Sequence, residues 1–461
     1  MQTTFCSYSF GCRVNQAEKE ELDKNLQLKS FVQSDTKPDF YIINTCAVTS
    51  KAEREARQLI YQTRKKFPKT KIIVTGCSAT KWINEKAQIK EAYLLVDNVN
   101  KEYIAELIRS KVKYSTSFWQ VPPSGTRPES HRDAGQASMT KKALLNDKYL
   151  SSGRLLLKIQ DGCQRFCTYC IVPYLRGLPK SKPISEILRT VKDYAKNTPG
   201  ESLRATPGVK KSPIKEVILA AINTEAYGYD TGESFIDLIS HILNQTSIPR
   251  ISLGSIHPWS INDEFFKFYK KVMPQQRLVN FFHIPLQSGS NKILTLMKRG
   301  YTREEFIEKL NILQKINPLA FIGTDIIVGF LEENDHDFTD TYNFLFNSPI
   351  AKFHIFRFSK REKTAAYFMA KRLKEPPVAI KIKRAKFLAE LGRKKYEQFL
   401  EKHIGLTFPA LFLERRIEDY QEVLLDNQIP ALIRTSKNLA GEIKSIKITT
   451  CKQNKLLGES I

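Results

Sequence analysis

Asp161-Gly162-Cys163-Gln164-Arg165-Phe166-Cys167-Thr168-Tyr169-Cys170 sets three thiols at a C-x3-C-x2-C spacing on one short loop. Three thiolates can hold three corners of a cubane iron–sulfur cluster and leave the fourth iron without a protein ligand, a place where chemistry can occur. A structural zinc site would ask for a fourth ligand, commonly from a second C-x2-C pair. The nearest histidines outside the loop, His131 and His257, are remote in sequence, so ligand arithmetic favours the cluster.

Outward from this loop the chain alternates strand and helix. Residues 155–159 read as the strand entering the loop, and 217–222, 250–253, 281–284, 321–328 and 352–356 read as further strands. Helical periodicity separates them at 184–195, 235–243 and 303–316. In such α/β repeats chemistry gathers on the loops that follow the strands. Cys163 obeys that rule, as do the polar residues Asn223, Ser255 and Gln287. Each of those three could equally serve as a cap or turn residue.

The first hundred residues form a second α/β pattern, with strands at 5–10, 40–43, 72–74 and 93–96 and a helix at 51–66. Alternation of this kind favours a parallel sheet. Cys12, Cys46 and Cys77 each follow one of the first three strands, so the carboxyl edge of one sheet can gather them. Singly, each would be read as a small buried apolar residue. Their shared structural position points to a second cluster with one open iron. Cys6, inside the first strand, and Cys451, near the end, lack partners at ligand spacing and read as structural.

Composition bounds the setting. The 461 residues, 41% of them hydrophobic, suit two or three domains with sizeable cores. No apolar run reaches the length of a membrane span, and Met1-Gln2-Thr3-Thr4-Phe5 lacks a signal-peptide pattern, so a cytoplasmic protein without membrane contact is expected. Eight cysteines in that compartment suggest ligation or catalysis rather than disulfides. The 73 Lys and Arg against 48 Asp and Glu leave a formal charge of +25, which makes a polyanion, first of all nucleic acid, the expected partner.

With both cysteine trios taken together, the chain resembles the radical S-adenosylmethionine (SAM) methylthiotransferases. The likeness extends to Ile159-Gln160-Asp161-Gly162, Ile171-Val172-Pro173-Tyr174-Leu175-Arg176-Gly177, and His283-Ile284-Pro285-Leu286-Gln287-Ser288-Gly289-Ser290. It continues through Met297-Lys298-Arg299-Gly300-Tyr301-Thr302 and Gly323-Thr324-Asp325-Ile326-Ile327-Val328-Gly329-Phe330. The resemblance implies two [4Fe-4S] clusters and SAM as cofactors, with Cys163, Cys167 and Cys170 ligating the radical-generating cluster and Cys12, Cys46 and Cys77 the sulfur-supplying one. Tyr169, between two of the ligands, is expected close to SAM, with Asn223, Ser255 and Gln287 as further contacts; Asp325 could touch ligand or brace the barrel.

Within the family, Gly11-Cys12-Arg13-Val14-Asn15-Gln16-Ala17-Glu18 and Asn44-Thr45-Cys46-Ala47-Val48-Thr49-Ser50-Lys51-Ala52 look like the branch acting on N6-threonylcarbamoyladenosine beside the tRNA anticodon. The alternatives are the isopentenyladenosine branch, the ribosomal-protein branch, and a non-catalytic iron–sulfur or zinc protein that binds RNA. A tRNA substrate, an electron-donor protein and a sulfur source are the implied partners. The expected organisation is a cluster domain at 1–112, a linker at 113–148, a partial (β/α)6 barrel at 149–396 and a strand-rich module at 397–461. The resemblance makes the last an OB-like RNA-gripping TRAM domain, preceded by a basic helix at 381–402. A Pro- and Gly-containing stretch at 196–213 reads as a surface insertion.

Two departures stand out. Ala220-Ala221 replaces the family's usual Thr-Gly before Ile222-Asn223, and Leu331-Glu332-Glu333 replaces Pro-Gly-Glu. A lost glycine where backbone approaches a ligand would narrow the expected SAM pocket.

Overall fold

The computed structural model describes residues 2–109, 149, 152–195 and 214–461, so the expected linker at 113–148 and insertion at 196–213 lie outside the described residues. The chain divides into two compact units, and the described part of the first is 2–109 together with 171–178.

In the first unit the alternation yields β1 (Thr4–Ser9), α1 (Arg13–Leu28), β2 (Val32–Gln33), β3 (Phe40–Thr45), α2 (Ser50–Lys66), β4 (Lys71–Gly76), α3 (Cys77–Asn84), β5 (Leu94–Leu95) and α4 (Ile104–Arg109). The sheet order is β2-β1-β3-β4-β5, parallel throughout. Period-two alternation loads both faces. Tyr8, Ile43 and Val74 pack on Ile60 and Trp82, while Phe5, Ile42 and Ile73 pack on Leu22, Leu26 and Ile104. A fifth helix, α5 (Val172–Arg176), packs here too, with Ile171 and Leu175 against Ala47 and Cys77. A hollow at the amino edge of this sheet, bordered by Gln2, Asp39 and Lys69, contains none of the cysteines.

The second unit opens with β6 (Arg154–Asp161), the antiparallel edge strand β7 (Lys180–Ser181), α6 (Ile184–Ala195), β8 (Glu216–Ala221), α7 (Phe235–Gln245), β9 (Arg250–Leu253) and α8 (Asp263–Val272). It continues with β10 (Phe281–His283), α9 (Asn291–Leu296), α10 (Arg303–Ile316), β11 (Phe321–Val328), α11 (Asp335–Asn347), β12 (Lys352–Arg357), α12 (Ala365–Met369) and the long α13 (Val378–Glu401). Strands β6, β8 and β9 pair in parallel, as do β10, β11 and β12. The bridge Ile251–Leu278 and the Ile256 N–H donated to His283 O join the two runs. Six parallel strands with helices outside them are the expected α/β architecture. Helix α6 shows why: Ile184, Ile187, Leu188 and Val191 recur at helical spacing and are all buried. Thr302 and Glu305 close a reciprocal capping box that starts α10.

The chain ends in a closed barrel, β13 (Thr407–Ile417), β14 (Tyr420–Leu424), β15 (Pro430–Arg434), β16 (Ile443–Lys452) and β17 (Lys455–Ser460), in the order β13-β14-β15-β17-β16. Its core of Phe408, Phe412, Val423, Ile433 and Ile446 is continuous with Phe321, Ala351 and Phe399 of the larger unit.

Register places Arg154, Glu216 and Arg250 side by side at the amino ends of β6, β8 and β9. Arg154 donates to both Glu216 oxygens at 3.1 and 3.2 Å, Gln428 of the barrel donates to Glu216 at 2.8 Å, and Arg250 donates to the carbonyls of Leu424 and Leu425. Burial opposes ionisation of Glu216, but Arg154, Arg250 and the Ser252 hydroxyl outweigh it and hold the carboxyl below its ordinary value. Its contribution to stability is therefore complete above the unfolded carboxyl's pKa, about 4.3, and is lost as pH falls through the depressed folded value. Glu216→Gln leaves two buried guanidinium groups without their carboxylate and is expected to cost about 3 kcal/mol. Denaturation curves at neutral pH should show that loss, and the gap from wild type should narrow in acid.

Candidate cluster sites

In the first unit the carboxyl edge gathers the expected trio. Cys12 is the N-cap of α1, Cys46 follows β3, and Cys77 opens α3. Two glycines permit this crowding. Gly11 has φ +100°, and a Cβ there would lie 2.9 Å from Cys46 Cβ and 3.1 Å from its Sγ. Gly76 has φ +90°, and a Cβ would stand 2.4 Å from the Thr45 carbonyl oxygen. Ser78 Oγ donates to Cys46 O at 2.7 Å, and Thr45 Oγ1 donates to Thr75 O at 2.7 Å, fixing the turns against each other.

Burial, then the neighbouring Cys77 and Cys12, pushes the Cys46 thiol up to about 12. Cys12 keeps an exposed surface, and its thiol is raised as well, with desolvation opposed by the Arg176 charge. Thiols of this kind stay protonated at neutral pH unless a cationic centre binds them as thiolates, which is what an iron cluster does. The surroundings carry matching charge: Arg176 donates to Glu18 at 2.9 and 3.2 Å and to Asn15, and Lys101 pairs with the same buried Glu18. Two cations face one carboxylate beside three cysteines. Asn98 donates to Cys77 Sγ at 3.6 Å and to Leu175 O at 3.0 Å. The donor set fits a thiolate-held cluster.

In the second unit β6 delivers the other trio. Gly162, at φ +74°, turns the chain; its N–H donates to Asp161 Oδ1 at 2.9 Å and its carbonyl accepts from Gln160 at 3.0 Å. Thr168 donates through N to Met297 O at 3.1 Å and through Oγ1 to Leu296 O at 2.8 Å, while Ala366 N donates to Thr168 O. These bonds hold the loop between three elements. Cys167 is buried, and Cys163 and Cys170 are half-buried. Burial raises the Cys163 thiol, against the Arg165 backbone N–H.

Beside Cys167 lies Arg299, only 4% exposed. Its Nη1 donates to Cys167 Sγ at 3.2 Å and to Tyr169 Oη at 3.3 Å, its Nη2 to Pro285 O at 2.9 Å, and its Nε to Tyr301 Oη at 2.9 Å. The guanidinium also lies 4.8 Å from the centre of the Trp259 ring, and Arg165 lies 4.2 Å from that ring. Arg165 is itself paired with Glu225.

The residues expected to contact SAM reach the same carboxyl edge in different roles. Asn223 caps the turn after β8, accepting from Glu225 N at 3.2 Å, so the capping reading accounts for its oxygen. Its Nδ2 is buried without a hydrogen-bond partner, as are His257 Nδ1 and Trp259 Nε1 on the loop after β9. Three such polar atoms suit a polar ligand. Burial, then the Arg299 charge, pushes His257 down to about 3, so its ring is neutral. Ser255 Oγ lies 3.0 Å from His283 Nδ1, whose other nitrogen lies 3.2 Å from Asp325 Oδ1, with His354 Nδ1 at 3.8 Å from the same oxygen. Gln287 adopts φ +80° and bonds by its main chain to β11 on both sides. Tyr169 packs among Met297, Phe330 and Phe358, and its hydroxyl oxygen accepts from Arg299 Nη1.

The two departures have visible structural roles. Ala220 and Ala221 are buried at the end of β8, next to Gly254, where a Cβ would stand 3.0 Å from Leu219 O. Leu331 is buried with Phe330 and Met297, and the Glu333 carboxylate accepts from Gly329 N at 2.9 and 3.0 Å and from Arg384 at 2.7 Å. Arg299, Trp259, His257 and Arg176 were not singled out by sequence reasoning. Arg299 and Arg176 stood inside quoted motifs, but nothing local marks an arginine as the neighbour of a cysteine more than a hundred residues away.

Residues 157–345 match the radical SAM superfamily, and residues 4–99 match a family described as uncharacterized protein family UPF0004. The threonylcarbamoyladenosine tRNA methylthiotransferase of Aquifex aeolicus is 35% identical over 410 residues, covering 88% of this chain and 92% of that protein. The enzyme of the same name from Rickettsia prowazekii is 32% identical over 427 residues, 91% of each chain. The tRNA-2-methylthio-N(6)-dimethylallyladenosine synthase of Thermodesulfovibrio yellowstonii is 31% identical over 478 residues, covering 98% of this chain and 97% of that one. Two cysteine trios on the carboxyl edges of two parallel sheets, and identity running nearly end to end, lead to one conclusion: the chain belongs to the radical SAM methylthiotransferases, enzymes that use SAM and two [4Fe-4S] clusters.

Proposed function

We propose that this enzyme replaces the C2 hydrogen of N6-threonylcarbamoyladenosine, next to the tRNA anticodon, with a methylthio group. The observation that carries the substrate assignment is the 35% identity to the Aquifex aeolicus enzyme named for that nucleoside, against 31% to the dimethylallyladenosine synthase, joined to the Cys12 and Cys46 loops that look like that branch. When bound, the clusters and SAM supply a one-electron reductant, a deoxyadenosyl radical, a sulfur and a methyl group.

The chain's own residues hold and orient. Cys163, Cys167 and Cys170 ligate the radical-generating cluster, and Cys12, Cys46 and Cys77 the sulfur-supplying one. The orphaned groups of Asn223, His257 and Trp259 are proposed as SAM contacts, and Ser255, Gln287 and Tyr169 support the same edge. The buried aromatic and aliphatic walls exclude water from a reactive centre.

The domain division at 112, 148 and 396 follows from the same reading, with the C-terminal barrel as a TRAM-type RNA grip. Not all of the basic helix is free for RNA: in α13, Lys381 and Arg384 are buried and paired with Glu375 and Glu333. Lys383 and Lys386 are exposed and available to phosphates, while the exposed Lys394 pairs with Glu390. An electron-donor protein and a sulfur source complete the proposed set of partners. A cytoplasmic setting accords with a tRNA substrate; among the described residues no helix is long and apolar enough to cross a membrane.

The test is an anaerobic reaction with reductant, SAM and tRNA carrying threonylcarbamoyladenosine, read by nucleoside mass spectrometry. A methylthio product on that nucleoside is expected. Product on isopentenyladenosine alone would move the enzyme to the sister branch.

A further inference from the structure

Arg299 is a buried guanidinium whose hydrogen-bond partners are two phenols, a backbone carbonyl and a cysteine sulfur, with no carboxylate among them. A buried cation is costly unless a negative group offsets it. The contrast within the chain is that Arg176, beside the other trio, has a carboxylate partner in Glu18, which it shares with Lys101. Around Arg299 the negative charge has to come from the thiolates of the loop and whatever they bind. Three thiolates on a [4Fe-4S]2+ core carry a net charge of −1, and uptake of one electron makes it −2. A fixed positive charge that also donates N–H to a ligand sulfur stabilises the more negative state more strongly, and hydrogen bonds and charge near the sulfurs are known levers on cluster potential.

We propose that Arg299 sets how readily the cluster held by Cys163, Cys167 and Cys170 accepts its electron, raising its reduction potential through the contact to Cys167 Sγ. The same side chain ties that control to its surroundings. Nε and Nη2 are anchored on Tyr301 and Pro285, and the Trp259 ring lies against the guanidinium, so the charge is held in place relative to the sulfur. Arg299 acts through the cluster and is a tuning residue, separate from the groups that touch substrate. The inference rests on the family's cofactors and is independent of which tRNA nucleoside is modified.

The experiment uses the full chain carrying Cys12→Ala, which leaves the other trio one thiolate short, so that one cluster reports. An EPR-monitored redox titration, with dithionite as the electron source and dye mediators, measures the midpoint with and without Arg299→Gln, alongside iron and sulfide content. The expected result is full iron content and a reduction equilibrium at least tenfold less favourable, equivalent to about 59 mV for one electron. An unchanged midpoint with a fully loaded cluster overturns the proposal. Should Arg299→Gln fail to load iron, Arg299→Lys decides. Lysine keeps a cation but cannot make four directed contacts, so a smaller shift to lower potential is expected, and no shift overturns the proposal. Neither titration contains tRNA, so a wrong substrate assignment would leave both results standing.

Discussion

Cys167→Ala is expected to abolish SAM cleavage. Among the three loop cysteines it is the buried one, with Arg299 Nη1 at 3.2 Å from its sulfur. Two thiolates cannot hold a cubane at three corners, and the remaining pair, Cys163 and Cys170, sits on the more open side of the loop. The replacement also removes the sulfur that faces a buried guanidinium, so the loop should lose local order as well as iron. Iron and sulfide should fall from about eight of each per chain to about four, since the other trio is untouched. Deoxyadenosine release, followed by mass spectrometry under reducing conditions, should drop to the level of a no-enzyme control. Deoxyadenosine production at the wild-type rate would show that these cysteines do not hold the reactive cluster.

Cys12→Ala should produce the opposite separation. The Cys12, Cys46 and Cys77 trio belongs to a different sheet and a different compact unit, so its loss leaves Arg299, the loop bonds to Met297 and Leu296, and the loop cysteines as they were. SAM cleavage is expected to remain measurable while methylthio product disappears from tRNA. The variant is a mild one structurally, because Cys12 is an N-cap whose side chain makes no capping hydrogen bond. Cys46→Ala would confuse the outcome, since that side chain is buried against Gly11 and in the core beside Tyr8 and Trp82. Retained methylthiolation by Cys12→Ala would end this division of labour.

Much of the fold could be read from the residues because strand, helix and cysteine loop repeat on a regular beat. Strands expected at 250–253 and 321–328 are β9 and β11, and the helices expected at 184–195 and 303–316 are α6 and α10. What escaped has physical reasons. Strand β17 carries Gly458 in its middle and charged residues at its ends, which hides its alternation, and β2 is two exposed residues whose pairing depends wholly on β1. At the sites, the spacing of Cys163, Cys167 and Cys170 is a local signal, whereas Cys12, Cys46 and Cys77 are grouped only by their shared position after successive strands. The charge that surrounds them is contributed from far along the chain: Arg176 reaches Glu18, and Arg299 reaches Cys167. Such partners are created by topology, and no window of sequence contains both. Asn223 shows a further limit, since one amide acts as a cap through its oxygen and leaves its nitrogen for another purpose.

The apolar core of the C-terminal barrel does not end at its own strands. Phe408 and Phe412 share a cluster with Phe321, Ala351 and Phe399, and Arg250 donates to the carbonyls of Leu424 and Leu425. This makes the barrel a poor candidate for modular exchange. A graft of the corresponding module from a sister enzyme would bring its outer surface but would have to match an aromatic seat and a buried arginine at its root. Recombination between branches should therefore succeed where the junction precedes β9 and carries Arg250, β11 and β12 with the barrel, and yield insoluble protein where it falls between Glu401 and Thr407. A barrel rooted in this way is free to change by substitutions on its outer face and is resistant to being traded whole.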